Sequence, residues 1–406
     1  MKNRFDSDVR PRAFFLSPLE RFIGGIRPQR QCHSISCRRS NEWRAAYLHG
    51  GDRARDVLDA READGRELVR QRGLVDDTNG PAIGLEPDGA HILAVDFHGA
   101  RDSRDSSKGK APRGAKEVIE KRAGERMPVD YEAEYNNRAR VPEHPEIFAR
   151  WAREAEDYRA ETMKERRAEL GLSYGSSLRQ FIDLFSPRRG VTAPLALFIH
   201  GGYWRSLDPS LFSHMARGLN AQGVAVGVVG YDLCPEVSIA EIIEQIRHAC
   251  LFLWLRTGER MLIYGHSAGG HLAAAMVATD WQSLYPKAPA DLVPAAYSIS
   301  GLFDLTPLVG IPMAQDLRLD EAEARRVSPL FWRAPKGRAF DAVAGALESS
   351  EFLRQSRTVA DSWGKAGAQT RYEEIAETNH FTVIDALADP QSAMVGRLVA
   401  LAPRQK

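Results

Sequence analysis

A serine hydroxyl becomes a useful nucleophile only when a base takes its proton and a third group holds that base in place. This chain carries residues of each type in a workable order. Ser267 sits in Gly265-His266-Ser267-Ala268-Gly269, between the apolar run Met261-Leu262-Ile263-Tyr264 and the small-residue stretch His271-Leu272-Ala273-Ala274-Ala275-Met276. Small neighbours two residues to either side let a serine occupy a sharp strand-to-helix turn with its hydroxyl presented outward. G-x-S-x-G alone recurs by chance, so its weight comes from what surrounds it. His380, in Thr378-Asn379-His380-Phe381 after the last expected strand, is the candidate base. His266 lies beside the nucleophile with its side chain directed away, and His271 lies one turn into the following helix. The carboxylate is expected at Glu348, which follows a strand over 339–343 and the turn Ala344-Gly345-Ala346. Glu351 and Asp304 are the alternatives: the first as a first-turn charge of a helix over 350–363, favourable to the helix dipole, the second at the end of a strand over 295–299.

A tetrahedral intermediate also needs backbone donors aimed at its oxyanion. His200-Gly201-Gly202-Tyr203-Trp204 follows the strongest apolar run, and its glycines allow N–H groups to turn inward. The expected donors are the N–H of Gly202 or Tyr203, partnered by that of Ala268. Tyr203, Trp204, Phe303 and Phe381 are candidate walls of an aromatic substrate pocket, and each fits a core position equally well.

The elements that must hold these residues alternate along the chain. Continuous apolar strands are expected over 195–199, 224–229, 261–264, 295–299, 339–343 and 370–375. Helices are expected within 142–170 and over 209–222, 239–256 and 350–363. Apolar strands separated by helices imply an α/β fold: a mostly parallel, doubly wound sheet covered on both faces. Catalytic groups then belong at the carboxyl ends of the strands, where Ser267 and His200 both fall.

Residues 1–126 read differently. They are Arg-rich, have no long apolar run apart from a strand-like stretch over 90–97, and end in the charged, small-residue segment over 101–114. This is the pattern of an extension without a core of its own, preceding a catalytic domain over 127–406. An upstream start assigned too early would account for it. Cys32, His33, Cys37 and His49 match no standard zinc spacing. With a net charge of +1 over 406 residues, nothing favours nucleic acid as a partner. Four cysteines are too few for a disulfide framework. The short apolar patch over 13–16 is neither a signal core nor a membrane span. A cytoplasmic protein acting on a small amide or ester is expected, without metal or cofactor, with a homodimer as a further possibility.

The region from Met127 onward resembles the serine-type kynurenine formamidases (arylformamidases) and their bacterial esterase relatives in the α/β-hydrolase superfamily. The resemblance rests on His200-Gly201-Gly202-Tyr203-Trp204-Arg205, Tyr231-Asp232-Leu233-Cys234-Pro235, Gly265 to His271, Ser300-Gly301-Leu302-Phe303-Asp304, Glu348 to Ser356 and Asn379-His380-Phe381. It implies cleavage of the formamide of N-formylkynurenine, or of small aryl and acyl esters, without a metal. The family often has Asp where this chain has Glu348. A carboxylesterase is the rival reading within enzymes, and a non-catalytic binding protein of the same fold is the rival outside them.

Overall fold

The computed structural model describes residues 129–188 and 193–403. The expectations for 1–126, including the strand over 90–97 and the Cys/His group, lie outside the described residues.

Two short helices open the described chain, α1 (Tyr131–Tyr135) and α2 (Asn137–Arg140), capped by the side chains of Asp130 and Asn136 respectively. The long helix α3 (His144–Lys164) follows, entered through a proline in its first turn. Its spacing buries Ile147, Trp151, Ala155, Tyr158 and Thr162 on one stripe. The helix ends before residue 170, and two strands that the sequence pattern does not announce come next: β1 (Ala168–Ser173) and β2 (Phe181–Phe185). β1 is largely exposed and shows no alternation. β2 is short and carries Asp183, whose buried carboxylate accepts the N–H of Gly171 at 2.8 Å. An ionisable side chain inside a five-residue strand hides the apolar signal.

The remaining strands are β3 (Leu195–Ile199), β4 (Ala225–Val229), β5 (Met261–His266), β6 (Ala295–Ile299), β7 (Ala339–Gly345) and β8 (Gln369–Ile375). All eight form one sheet in the order β1-β2-β4-β3-β5-β6-β7-β8. β1 and β2 run antiparallel to their neighbours, while every pairing from β4 through β8 is parallel. All five residues of β3 are buried. Burying one such Leu, Ile or Phe side chain stabilises the fold by about 2 kcal/mol.

The expected helix over 209–222 resolves into two 3₁₀ turns, Pro209–Leu211 and Ser213–Ala216, and a five-residue α-helix, Arg217–Ala221. Ser213 to Ala216 are all buried, so this segment has no solvent face around which a regular amphipathic helix would organise. The longer helices stand where their periodicity puts them. α4 (Ile239–Thr257) has a capping box made by Ser238 and Glu241, and Gly258 closes it at φ 77°. α5 (Ala268–Val277) is buried along its whole length, as its run of small residues requires, and α6 (Ser350–Lys365) packs on β7 and β8. α7 (Ala393–Leu401) is the last described helix. No described helix is long and apolar enough to cross a membrane.

Candidate active site

Ser267 links β5 to α5 with φ 57° and ψ −118°, a conformation that ordinary residues avoid. The turn is possible because its flanking residues lack side chains. A Cβ on Gly265 would lie 2.2 Å from the carbonyl oxygen of Gly269, and one on Gly269 would lie 1.9 Å from that of Ile199. The N–H of Ser267 donates to the carbonyl of Ile299 in the adjacent strand β6 at 2.8 Å. Strain at Ser267 is therefore held by close backbone packing at the centre of the sheet.

His380 and Glu348 meet directly. His380 Nδ1 lies 2.7 Å from Glu348 Oε2, with both side chains almost wholly buried. A carboxylate can only accept, so Nδ1 carries the proton and the imidazole lone pair is left on Nε2. The other carboxylate oxygen, Oε1, accepts from Ser300 Oγ and from the N–H of Gly345, each at 2.6 Å. Three donors thus fix a glutamate whose longer stem would otherwise let it wander. Ser300 belongs to the site and was not expected there. It occupies the left-handed region at φ 55°, and only its place directly after β6 hinted at a role.

The alternative carboxylates are engaged elsewhere. Asp304 Oδ1 accepts from the N–H and Oγ1 of Thr306 in its own loop. Glu351 binds Arg354 and accepts from Tyr135 Oη at 2.8 Å.

His266 connects the elbow to the loop that carries His380. Its Nε2 donates to the carbonyl of His380 at 2.7 Å. Burial, with His380 alongside, holds its pKa well below the ordinary histidine value, so it stays neutral and keeps this donor role. His271 donates through Nε2 to the Val327 carbonyl at 2.7 Å, and burial pushes its pKa down to about 4.

The glycine loop lies against the elbow. A Cβ on Gly201 would fall 2.9 Å from the His266 carbonyl and 3.0 Å from Ser267 Cβ. Gly202 takes φ 112°, and a Cβ there would reach within 2.2 Å of the Ser206 carbonyl. Among the described residues, the N–H groups of Gly202 and Tyr203 donate to no backbone carbonyl. Ala268 is the first residue of α5, so its N–H has no partner inside the helix. His200 anchors the loop from behind. It is fully buried, stacked on Tyr231 at 4.4 Å between centroids, and its carbonyl accepts from Tyr231 Oη at 2.8 Å.

The candidate wall residues separate. Tyr203 is half-buried and donates to the carbonyl of Tyr135 at 2.7 Å, while Asn137 Nδ2 donates to its hydroxyl at 3.3 Å. Trp204 is fully buried edge-on to His271, and Phe303 is fully buried edge-on to Phe340, so both are core side chains here. Phe381 packs into the cluster of Phe148 and Trp151 and touches the His380 ring. A cavity of about 470 Å³ opens beside Glu348 and His380, and the strap made by α1 and α2 lines it through Asn137 and Arg140 of α2. No group of three or more His, Cys, Asp or Glu among the described residues is arranged to hold a metal.

Known proteins resemble this chain in sequence and fold. Residues 196–383 match a family model described as the alpha/beta hydrolase fold. The kynurenine formamidase of Salmo salar is 31% identical over 229 residues, which cover 54% of this chain and 77% of that protein. Its counterpart in Danio rerio is 29% identical over 228 residues, covering 54% of this chain and 77% of that protein. A solved structure assigned as a thioesterase, from Silicibacter sp., is 34% identical with a TM-score of 0.59, covering 67% of this chain and 100% of that one.

Proposed function

The chain belongs to the α/β-hydrolase family that holds the kynurenine formamidases and related esterases, and from that premise we propose that it is a serine hydrolase of arylformamidase type, converting N-formylkynurenine to kynurenine and formate. The observation that carries the reading is the buried His380–Glu348 pair at 2.7 Å, at the same end of the sheet as the left-handed turn of Ser267.

In this reading Ser267 Oγ attacks the formyl carbon while His380 Nε2 takes its proton. The carbonyl oxygen becomes an oxyanion that accepts from the N–H of Ala268 and from that of Gly202 or Tyr203. Collapse breaks the C–N bond, and the proton on His380 passes to the departing aryl amine. Water then attacks the formyl ester with His380 again taking a proton, formate leaves, and Ser267 recovers its hydrogen. Glu348 stabilises the imidazolium formed in each half-reaction.

An esterase or thioesterase is the second reading, supported by the likeness to the Silicibacter structure. Assaying the purified chain on N-formylkynurenine beside p-nitrophenyl acetate separates the two. Faster turnover of the formamide by kcat/KM supports the first reading, and turnover of the ester alone supports the second.

A further inference from the structure

Three consecutive residues of the glycine loop stand at positive φ: Gly202 at 112°, Tyr203 at 50° and Trp204 at 57°. Only the first is a glycine, so the other two hold a conformation that side chains resist. The loop is tied on both sides of Tyr203. The carbonyl of Gly202 accepts from the N–H groups of Arg205 and Ser206 at 3.1 and 3.0 Å, and that of Trp204 accepts from the N–H of Cys234 at 2.8 Å. Among the described residues, Tyr203 itself makes no backbone–backbone hydrogen bond through its N–H or its carbonyl. What fixes it is the far end of its side chain, where the hydroxyl donates to the Tyr135 carbonyl at 2.7 Å and accepts from Asn137 Nδ2 at 3.3 Å.

The anchor is itself held. Tyr135 is fully buried at the end of α1. Its own hydroxyl donates to Glu351 Oε2 at 2.8 Å and accepts from Gln355 Nε2 at 2.7 Å. Glu134, one residue earlier, accepts the N–H of Glu351 at 2.9 Å and Ser350 Oγ at 2.8 Å. α1 is therefore clamped to the first turns of α6, the helix that begins just after Glu348. The Tyr135 ring packs on Phe352 at 5.7 Å between centroids, and Phe352 packs on the His380 ring at 4.6 Å. One residue far upstream thus joins the glycine loop to the element beside His380.

We propose that Tyr203 is a positioning residue: its hydroxyl, docked on the Tyr135 carbonyl, holds the strained turn that aims the N–H groups of Gly202 and Tyr203 at the oxyanion, which makes α1 part of the working site. This rests on the serine hydrolase reading above. A hydroxyl acting through the loop in this way bears on the transition state and leaves ground-state binding alone.

The test compares the wild type with Tyr203→Phe, using p-nitrophenyl acetate as substrate and two inhibitors, phenyl trifluoromethyl ketone and acetophenone. Ser267 Oγ adds to the carbon of the fluorinated ketone, its proton passes to His380 Nε2, and the ketone oxygen becomes an oxyanion; acetophenone binds without this step. Tyr203→Phe should lower kcat by about 10- to 100-fold with KM within about twofold. The inhibition constant of the fluorinated ketone should rise by the factor lost in kcat/KM, while that of acetophenone stays put. Unchanged kcat per folded molecule overturns the proposal, and so do the two ketones weakening together, which would make Tyr203 a pocket wall. Tyr135→Phe keeps the ring and the carbonyl but loosens the clamp, and should show the same parallel loss at about threefold. Should Tyr203→Phe fail to fold, Tyr135→Phe decides alone, and unchanged kcat and ketone inhibition there overturn the proposal. A wild type that neither turns over the ester or N-formylkynurenine nor is inhibited by the fluorinated ketone fails the serine hydrolase reading and the proposal with it, whereas an active, inhibited wild type with an unaffected Tyr203→Phe fails the proposal alone.

Discussion

Two cavities of nearly equal size, about 470 and about 480 Å³, lie at opposite ends of the sheet. The second is lined by the first residues of β6, β7 and β8, together with Arg260 and Arg397. There the charges are spent within the protein. Arg397 binds the fully buried Asp341 through two hydrogen bonds, at 2.7 and 3.0 Å, and Arg260 pairs with Asp291. At the carboxyl ends, the imidazole of His380 is held through Nδ1 by Glu348, and among the described residues the N–H groups of Gly202 and Tyr203 donate to no backbone carbonyl. Volume alone therefore does not distinguish a site. Unsatisfied chemistry does, and it gathers at the end where the strands' last residues and the following loops converge.

Substitutions at the two ends should separate activity from stability. The largest effect is expected for Ser267→Ala, which should lower kcat by about three to five orders of magnitude while moving the melting temperature by no more than about 2 °C. A variant retaining a tenth of wild-type turnover would end the assignment. Glu348→Gln should follow, with kcat down by roughly 100- to 10,000-fold, because an amide cannot stabilise the imidazolium. Asp304→Asn and Glu351→Gln should cost far less, and steady-state kinetics that ranked Asp304→Asn first would move the acid to the end of β6.

The amino end should behave in the opposite way. Arg397→Ala leaves the buried Asp341 carboxylate without its partner and should destabilise the fold by about 3 kcal/mol in urea denaturation, with kcat per folded molecule retained. Loss of activity without loss of stability there would erase the contrast between the two ends.

Much of the carboxyl end was legible in the sequence because its constraints are local. Gly265 and Gly269 are required by contacts of about 2 Å, Gly202 by its positive φ, and the order Ser267, Glu348, His380 by the order of the strands. Position in the turn after β7 favours Glu348 over Glu351, and its direct contact with His380 follows from that turn folding back toward the loop after β8. What escaped depended on contacts distant in sequence. Ser300 reaches Glu348 across 48 residues, His266 reaches the His380 carbonyl across 114, and the strap reaches Tyr203 across more than 60. Trp204 and Phe303 carry the same aromatic signal in a wall as in a core, and only the packing around them distinguishes the two.

A smaller effect is expected from pH. Burial pushes His200 and His271 down to about 4 and His214 down to about 3. Each is depressed relative to the unfolded chain, so the unfolded state binds the proton more readily. The stability they contribute is present above the ordinary histidine value near 6.5 and is lost as the pH falls below it. Each should cost on the order of 2 kcal/mol at pH 5 relative to pH 7, readable as a lower urea midpoint at unchanged slope. His214→Gln should flatten that dependence, and equal pH dependence in the variant would contradict the account.

The central claim is that Ser267 forms a covalent intermediate with His380 as its base. Treating the wild type and Ser267→Ala with a fluorophosphonate, then measuring intact mass and mapping the labelled peptide, tests it most directly. The wild type should gain the mass of a single adduct, located on Ser267, and Ser267→Ala should gain none. Label on another residue, or a wild type that turns substrate over yet takes up no label, would contradict it.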